Sequence, residues 1–184
     1  LTLYGSRLER VIQALRRGRR DLGDLARVSE CGQAEVPMLP QFELLMPETL
    51  PEALDMLEDR APDVRPLAGG TNMIPDMRAG THRPGSVVNV EGLSELRGIS
   101  RENGHIVIGS GVTLAEVLAD GLIAEHGAVL ADAARVFANP LIRNRATVGG
   151  NLGDASPAAD TAPPLLVLGA EVELTSSQGS RWMA

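Results

Sequence analysis

From residue 42 onward, short runs of β-branched and other apolar residues take turns with stretches whose apolar positions are spaced by three and four. Residues 42–46 predict a short strand. Thr49, Pro51 and Glu52 then mark a helix start, a capping side chain followed by proline and acid, and Ala53, Leu54 and Leu57 form the buried face. Residues 64–68 predict a second strand that runs into Gly69, Gly70 and Thr71, with a short helix over 73–79. Further strands are expected over 86–90 and 105–110, both rich in Val and Ile. Thr113, with Glu116 three positions on, predicts a capped helix to about Asp120. Longer helices follow over 124–138 and 160–168, then a strand over 171–175 and the start of another near Arg181. Strands interleaved with helices and glycine-rich turns imply an α/β or α+β domain.

The first 28 residues follow a different rule. Leu8, Val11, Ile12, Leu15, Leu22 and Leu25 recur at helical spacing, and seven arginines stand against Glu9, Asp21 and Asp24. This pattern predicts one or two short basic amphipathic helices, suited to a partner surface, an anionic membrane surface or the protein's own body. Residues 32–40, with Pro37 and Pro40, read as a linker. The expected division is therefore a basic segment and linker over 1–40 and one domain over 41–184.

Composition narrows the chemistry. The 184 residues carry a net charge of −7 and only four aromatic side chains, Tyr4, Phe42, Phe137 and Trp182. An acidic chain with so few aromatic platforms is not expected to bind nucleic acid. No apolar run approaches the roughly 18 residues of a membrane span, and no secretory leader is visible, so a cytoplasmic location is expected. A single cysteine, Cys31, excludes an internal disulfide, and with three scattered histidines it excludes an iron–sulfur or structural zinc site made by this chain alone. His82, His105 and His126 read as surface residues, Ser156 lacks a nucleophile-elbow context, and Cys31 reads as a passive thiol.

Two segments concentrate glycines and small polar residues directly after apolar elements. The first is Pro66, Leu67, Ala68, Gly69, Gly70, Thr71, Asn72 and Met73. A strand ending in two glycines lets backbone N–H groups converge and leaves room for a phosphate. The second runs from Thr147, Gly149, Gly150 and Asn151 through Asp154 to Asp160 and repeats that composition with more polar groups. Two phosphate-type loops suit a diphosphate carrier such as a dinucleotide; a glycine pair also serves as a plain turn. Neither is a P-loop, since the chain has no lysine, and neither is the Gly-x-Gly-x-x-Gly turn of the Rossmann fold.

The segments Ala68-Gly69-Gly70-Thr71 and Thr147-Val148-Gly149-Gly150-Asn151-Leu152, with Ala155 to Asp160 and the preceding Arg143-Asn144-Arg145-Ala146, resemble the two flavin-binding signatures of the molybdenum hydroxylases. In that family they belong to the FAD-binding medium subunits or central domains of xanthine dehydrogenase, carbon monoxide dehydrogenase and their relatives. The resemblance covers residues 42–184. It implies an α+β, PCMH-type fold of two α/β subdomains with the flavin between them, here incomplete at the C-terminus. Residues 66–73 would hold the FAD pyrophosphate through backbone amides and the Thr71 hydroxyl. Thr147, Gly149, Gly150 and Asn151 would lie along the pyrophosphate and flavin, Asp160 would accept hydrogen bonds from the adenosine ribose, and Phe137 would stand near the adenine or serve as an ordinary core aromatic. Asn72 stands where relatives often carry Asp, and Asp154 where a small neutral residue is common. A carboxylate so near a pyrophosphate should point away or contact a hydroxyl. Arg143 and Arg145 could neutralise the diphosphate, anchor a partner, or act as structural donors.

The function so implied is electron transfer by bound FAD, with no catalytic side chain of this chain's own. The molybdenum cofactor would sit in a large partner subunit and two [2Fe–2S] clusters in a small one, in a hetero-oligomer such as a dimer of heterotrimers, with an external acceptor taking the electrons. A stand-alone FAD-dependent oxidase of the same superfamily and a scaffolding module with silent glycine loops are the alternatives. Gly70→Val is expected to remove FAD by placing a β-carbon where a phosphate oxygen should approach.

Overall fold

In the computed structural model, which describes residues 39–184, the first elements build a small parallel sheet. The basic segment expected over 1–28, Cys31 and most of the 32–40 linker lie outside the described residues. Strand β1 (Glu43–Leu45) leads to helix α1 (Leu50–Asp59), then come β2 (Val64–Leu67), α2 (Met73–Ala79) and β3 (Ser86–Asn89). The sheet order is β1-β3-β2, parallel throughout. Central β3 has Ser86, Val87 and Val88 all buried, as expected for a parallel strand covered on both faces. Pro66, which has no N–H to give to a ladder, is accommodated because β2 lies at the edge. Thr49 caps α1 by accepting from the Glu52 amide, and Gly80, at φ 76°, ends α2 in the left-handed conformation. Ala53, Val64, Val88 and Leu93 form the core of this first layer.

A 3-10 turn (Ser94–Leu96) leads into an antiparallel hairpin of β4 (Ile99–Glu102) and β5 (His105–Ile108), turned at Asn103 and Gly104, both at positive φ. Helices α3 (Leu114–Ala119), α4 (Gly121–His126), α5 (Ala128–Val136), α6 (Pro140–Arg143), α7 (Val148–Gly153) and α8 (Ala162–Val167) follow, and the hairpin of β6 (Val172–Ser176) and β7 (Gly179–Met183) closes the described chain. The second core is larger and includes Val112, Leu114, Val117, Ile123, Leu130, Ala134 and Val148. The fold is α+β with two separate cores. Among the described residues no helix is long and apolar enough to cross a membrane, and no group of three His, Cys, Asp or Glu side chains could hold a metal ion.

The structure corrects three expectations. The single helix over 124–138 is two, because the Asp120 side chain caps a new helix by accepting from Ile123 N at 3.0 Å and buried Gly127 then interrupts it. Strand β4 was not expected, since only Ile99 in its four residues is apolar. Helices α6 and α7 occupy what read as loop.

Helix α3 carries a complete capping box. Thr113 Oγ1 accepts from Glu116 N at 3.2 Å, and Glu116 Oε2 accepts from Thr113 N at 2.7 Å. Partial desolvation pushes the Glu116 pKa up, but the Thr113 N–H, the Thr113 hydroxyl and the Arg97 guanidinium outweigh it, and the carboxyl titrates below its ordinary value. A depressed folded pKa means that the contribution is whole above the unfolded value of about 4.3 and is lost as pH falls through the folded value. The Tm advantage of wild type over Glu116→Gln is therefore expected to shrink as thermal melts are run from about pH 6 down to about pH 3. A gap that stays constant with pH would contradict this assignment.

Candidate functional site

The two glycine-rich motifs belong to different cores and meet at the seam between them. The first leaves the end of β2, where Leu67 O accepts from Val90 N at 2.9 Å. Gly70 lies at φ 69°, which reverses the chain into α2, and Ile74 N returns to Gly70 O at 3.1 Å. Gly69 packs so closely on the segment before the second motif that a β-carbon there would overlap the Arg145 carbonyl oxygen. Among the described residues, the N–H groups of Gly69, Gly70, Thr71, Asn72 and Met73 have no protein acceptor. Five consecutive amides left open at a half-exposed turn are donors for an anion.

The second motif does not repeat that cradle. Segment 146–149 runs antiparallel to 110–114: Leu114 N donates to Ala146 O, Val148 N to Val112 O and Gly149 N to Ser110 O, each at 2.9 Å. Thr147, buried at 5% exposure, bridges Thr113 and caps α7, its Oγ1 accepting from Gly150 N at 3.0 Å. Asn151 N donates to Thr147 O at 2.9 Å. The amides of Gly149, Gly150 and Asn151 are thus spent within the protein, and the expected second phosphate loop is a capped helical turn. What it offers a ligand is shape. Gly149 lies tight against Ser110, while Gly150 is exposed.

Side chains that read as ligand candidates divide sharply. Asn151 Oδ1 accepts twice from buried Thr161, from its hydroxyl at 2.5 Å and its N–H at 3.2 Å, so this side chain ties α7 to the start of α8. Asp160, directly before Thr161, is exposed and has no partner among the described residues. The Phe137 ring packs partly buried against the larger core, which favours the structural reading of that aromatic. Arg143 donates to the carbonyls of Phe137 and Ala138, and Arg145 makes a bidentate pair with Glu91 at 2.6 and 3.0 Å. Both arginines are engaged, so the donors that the seam leaves open are its backbone amides. Asp154 contacts neither solvent alone nor a hydroxyl: its Oδ2 accepts from Asn72 Nδ2 at 2.8 Å, joining the two motifs.

The arrangement therefore brings Gly69, Gly70, Thr71, Asn72 and Asp154 together, with Arg145 behind Gly69. It leaves Pro66 and Leu67 as the strand that delivers the turn, Ala68 as its exit, and Met73 as the first residue of α2. Sequence reasoning missed Glu91, Ser110 and Thr161, which act through contacts outside their own local segment. The donor set fits a pyrophosphate: backbone N–H groups and the Thr71 hydroxyl, at a turn whose Gly69 and Gly70 carry no side chains.

Similarity to known proteins shows the family of the chain. The family described as "FAD binding domain in molybdopterin dehydrogenase" matches residues 40–184. The FAD-binding subunit of xanthine dehydrogenase from Escherichia coli O157:H7 is 37% identical over 136 residues, 73% of this chain and 46% of that protein. The carbon monoxide dehydrogenase medium chain of Afipia carboxidovorans is 31% identical over 148 residues, 80% of this chain and 51% of its own length. The crystal structure of the cyanide-inactivated Cu,Mo-CO dehydrogenase superposes with a TM-score of 0.78 at 31% identity, covering 80% of this chain and 52% of that one. The chain spans about half the length of the curated relatives it matches. With the family match over most of its length and the shared fold of the two cores, this chain belongs to the FAD-binding domains of the molybdopterin dehydrogenases.

Proposed function

We propose that this chain holds FAD at the seam between its two cores and serves as the flavin-bearing part of a cytoplasmic, multi-subunit molybdenum hydroxylase. The observation that carries the reading is the run of five open amides from Gly69 to Met73, placed where the first motif abuts the second through Gly69 and Arg145. In this reading residues 66–73 supply the pyrophosphate cradle, with Thr71 adding a hydroxyl. Thr147, Gly149 and Gly150 set the shape of the opposite wall, and Asn151 holds Asp160 in place for the adenosine ribose. Phe137 supports that wall from the core. Bound flavin supplies the ability to take up electrons singly and release them in pairs. This chain's own groups bind and orient the cofactor, and none needs to move a proton. A large subunit with the molybdenum cofactor and a small subunit with [2Fe–2S] clusters are the proposed partners, in a dimer of heterotrimers, with the flavin passing electrons to an external acceptor. The domain proper is proposed to occupy 41–184.

An absorption spectrum of the purified full-length complex tests this directly. Flavin bands together with iron–sulfur absorbance are expected; flavin alone would point to a stand-alone oxidase, and a colourless protein would sink both redox readings. Asp160→Ala is expected to weaken FAD by about 1.5–3 kcal/mol, the typical worth of a hydrogen bond to a charged group. Fluorescence titration of apoprotein with FAD measures it, and unchanged affinity would remove Asp160 from the site.

A further inference from the structure

Asn72 and Asp154 are 82 positions apart in sequence and joined across the seam by one hydrogen bond of 2.8 Å. Each is presented to the other by its backbone. Asn72 occupies the N-cap of α2 yet makes no cap bond. The reason is local: the third helical residue is Pro75, which has no N–H, and the amide of Ile74 is already bonded to Gly70 O. The carboxamide is therefore free to reach sideways. Because a carboxylate only accepts, the Asn72 group facing it must be the N–H2 end. Asp154 ends α7, with its own N–H bonded to the carbonyls of Gly150 and Leu152. The next residue, Ala155, sits at φ 50°, a left-handed conformation that costs a non-glycine residue on the order of 1 kcal/mol or more and persists only where surrounding structure holds it. Left to itself, a carboxylate beside five open amides would compete with an anionic ligand for them. Engaged by Asn72, one carboxylate oxygen is taken up by a side chain instead of by those amides.

Resting on the FAD reading above, we propose that the Asn72–Asp154 pair is a latch that sets the spacing of the two motifs, so that Asp154 is a positioning residue for the cofactor and not a ligand to it.

The test is a reciprocal exchange in the full-length protein, read by FAD titration of apoprotein and by the melting temperature of each apo variant. Asp154→Asn keeps an oxygen for Asn72 to donate to, and its FAD affinity is expected to stay within about twofold of wild type. Asp154→Ala removes the acceptor and is expected to weaken FAD about threefold to tenfold. Asn72→Asp sets two carboxylates against each other and is expected to weaken it about tenfold or more. The double variant Asn72→Asp/Asp154→Asn reverses donor and acceptor and should recover affinity to near the wild-type value. A purely electrostatic role predicts the opposite for Asp154→Ala, tighter FAD from the loss of a negative charge, and that result would overturn the latch. Failure of the double variant to improve on Asn72→Asp would do the same. Should wild type itself take up no FAD, the functional reading falls with it, whereas normal uptake with an indifferent Asp154→Ala removes the latch alone.

Discussion

Gly69→Ala is expected to strip the protein of FAD. The added β-carbon falls on the Arg145 carbonyl, and that backbone has little freedom to yield. Arg145 N and Ala146 N both bond to Ile142 O, at 3.0 and 2.7 Å, Ala146 O accepts from Leu114 N, and the Arg145 side chain is held at two points by Glu91. The first motif must therefore move away from the second, which opens the seam and disperses the five amides. The strain itself should cost about 1–3 kcal/mol of stability, as overpacking does elsewhere, leaving the chain folded. Flavin absorbance per protein and a thermal melt read the two effects separately; wild-type flavin content in a folded Gly69→Ala protein would show that the seam is not the site. Gly70, one position on, should behave differently. A β-carbon there meets only Ile74 and Leu67 side chains at 3.1 Å, and the constraint is φ 69°. The loss of FAD expected for Gly70→Val thus comes through backbone strain and not through a blocked phosphate. Asparagine tolerates the left-handed region, so Gly70→Asn should retain more FAD than Gly70→Val.

That contrast shows where sequence reasoning reaches and where it stops. Patterns confined to a few neighbouring residues were legible: Thr49 with Pro51, the Thr113–Glu116 box, helix α2 over its full length, and the strand running into Gly69 and Gly70. The resemblance that named the family rested on the same local strings. Helix α7 was not legible, because glycines at 149, 150 and 153 argue against a helix by propensity, and what holds it is the pairing of 146–149 with 110–114. Strand β4 was hidden for a related reason, since its partner β5 and not its own apolar content makes it a strand. Within the site, Gly69 could be read as permissive but not as the point of contact with Arg145. The engagement of Arg143 and Arg145, and the joining of Asn72 to Asp154, depend on distances between motifs that composition does not carry.

Asn151 gives the sharpest separation between a residue that touches the cofactor and one that shapes its site. As a direct ligand, its truncation would lower FAD affinity and leave the apoprotein's stability untouched. The structure leads to a different outcome. Thr161 is 1% exposed, and its hydroxyl donates to Asn151 instead of capping α8. Asn151→Ala strands that hydroxyl and the Thr161 N–H together, each an unsatisfied buried donor worth about 1–3 kcal/mol. A loss of about 2–4 kcal/mol is expected in the apoprotein, on the order of 10 °C in Tm for a domain of this size. Asn151→Asp retains the acceptor and should recover most of it. FAD affinity should also fall in Asn151→Ala, but through Asp160, whose neighbour has lost its anchor. In the double variant Asn151→Ala/Asp160→Ala the two losses of affinity should therefore overlap instead of adding. Full additivity, or an apoprotein that melts as wild type does, would return Asn151 to direct contact with the cofactor.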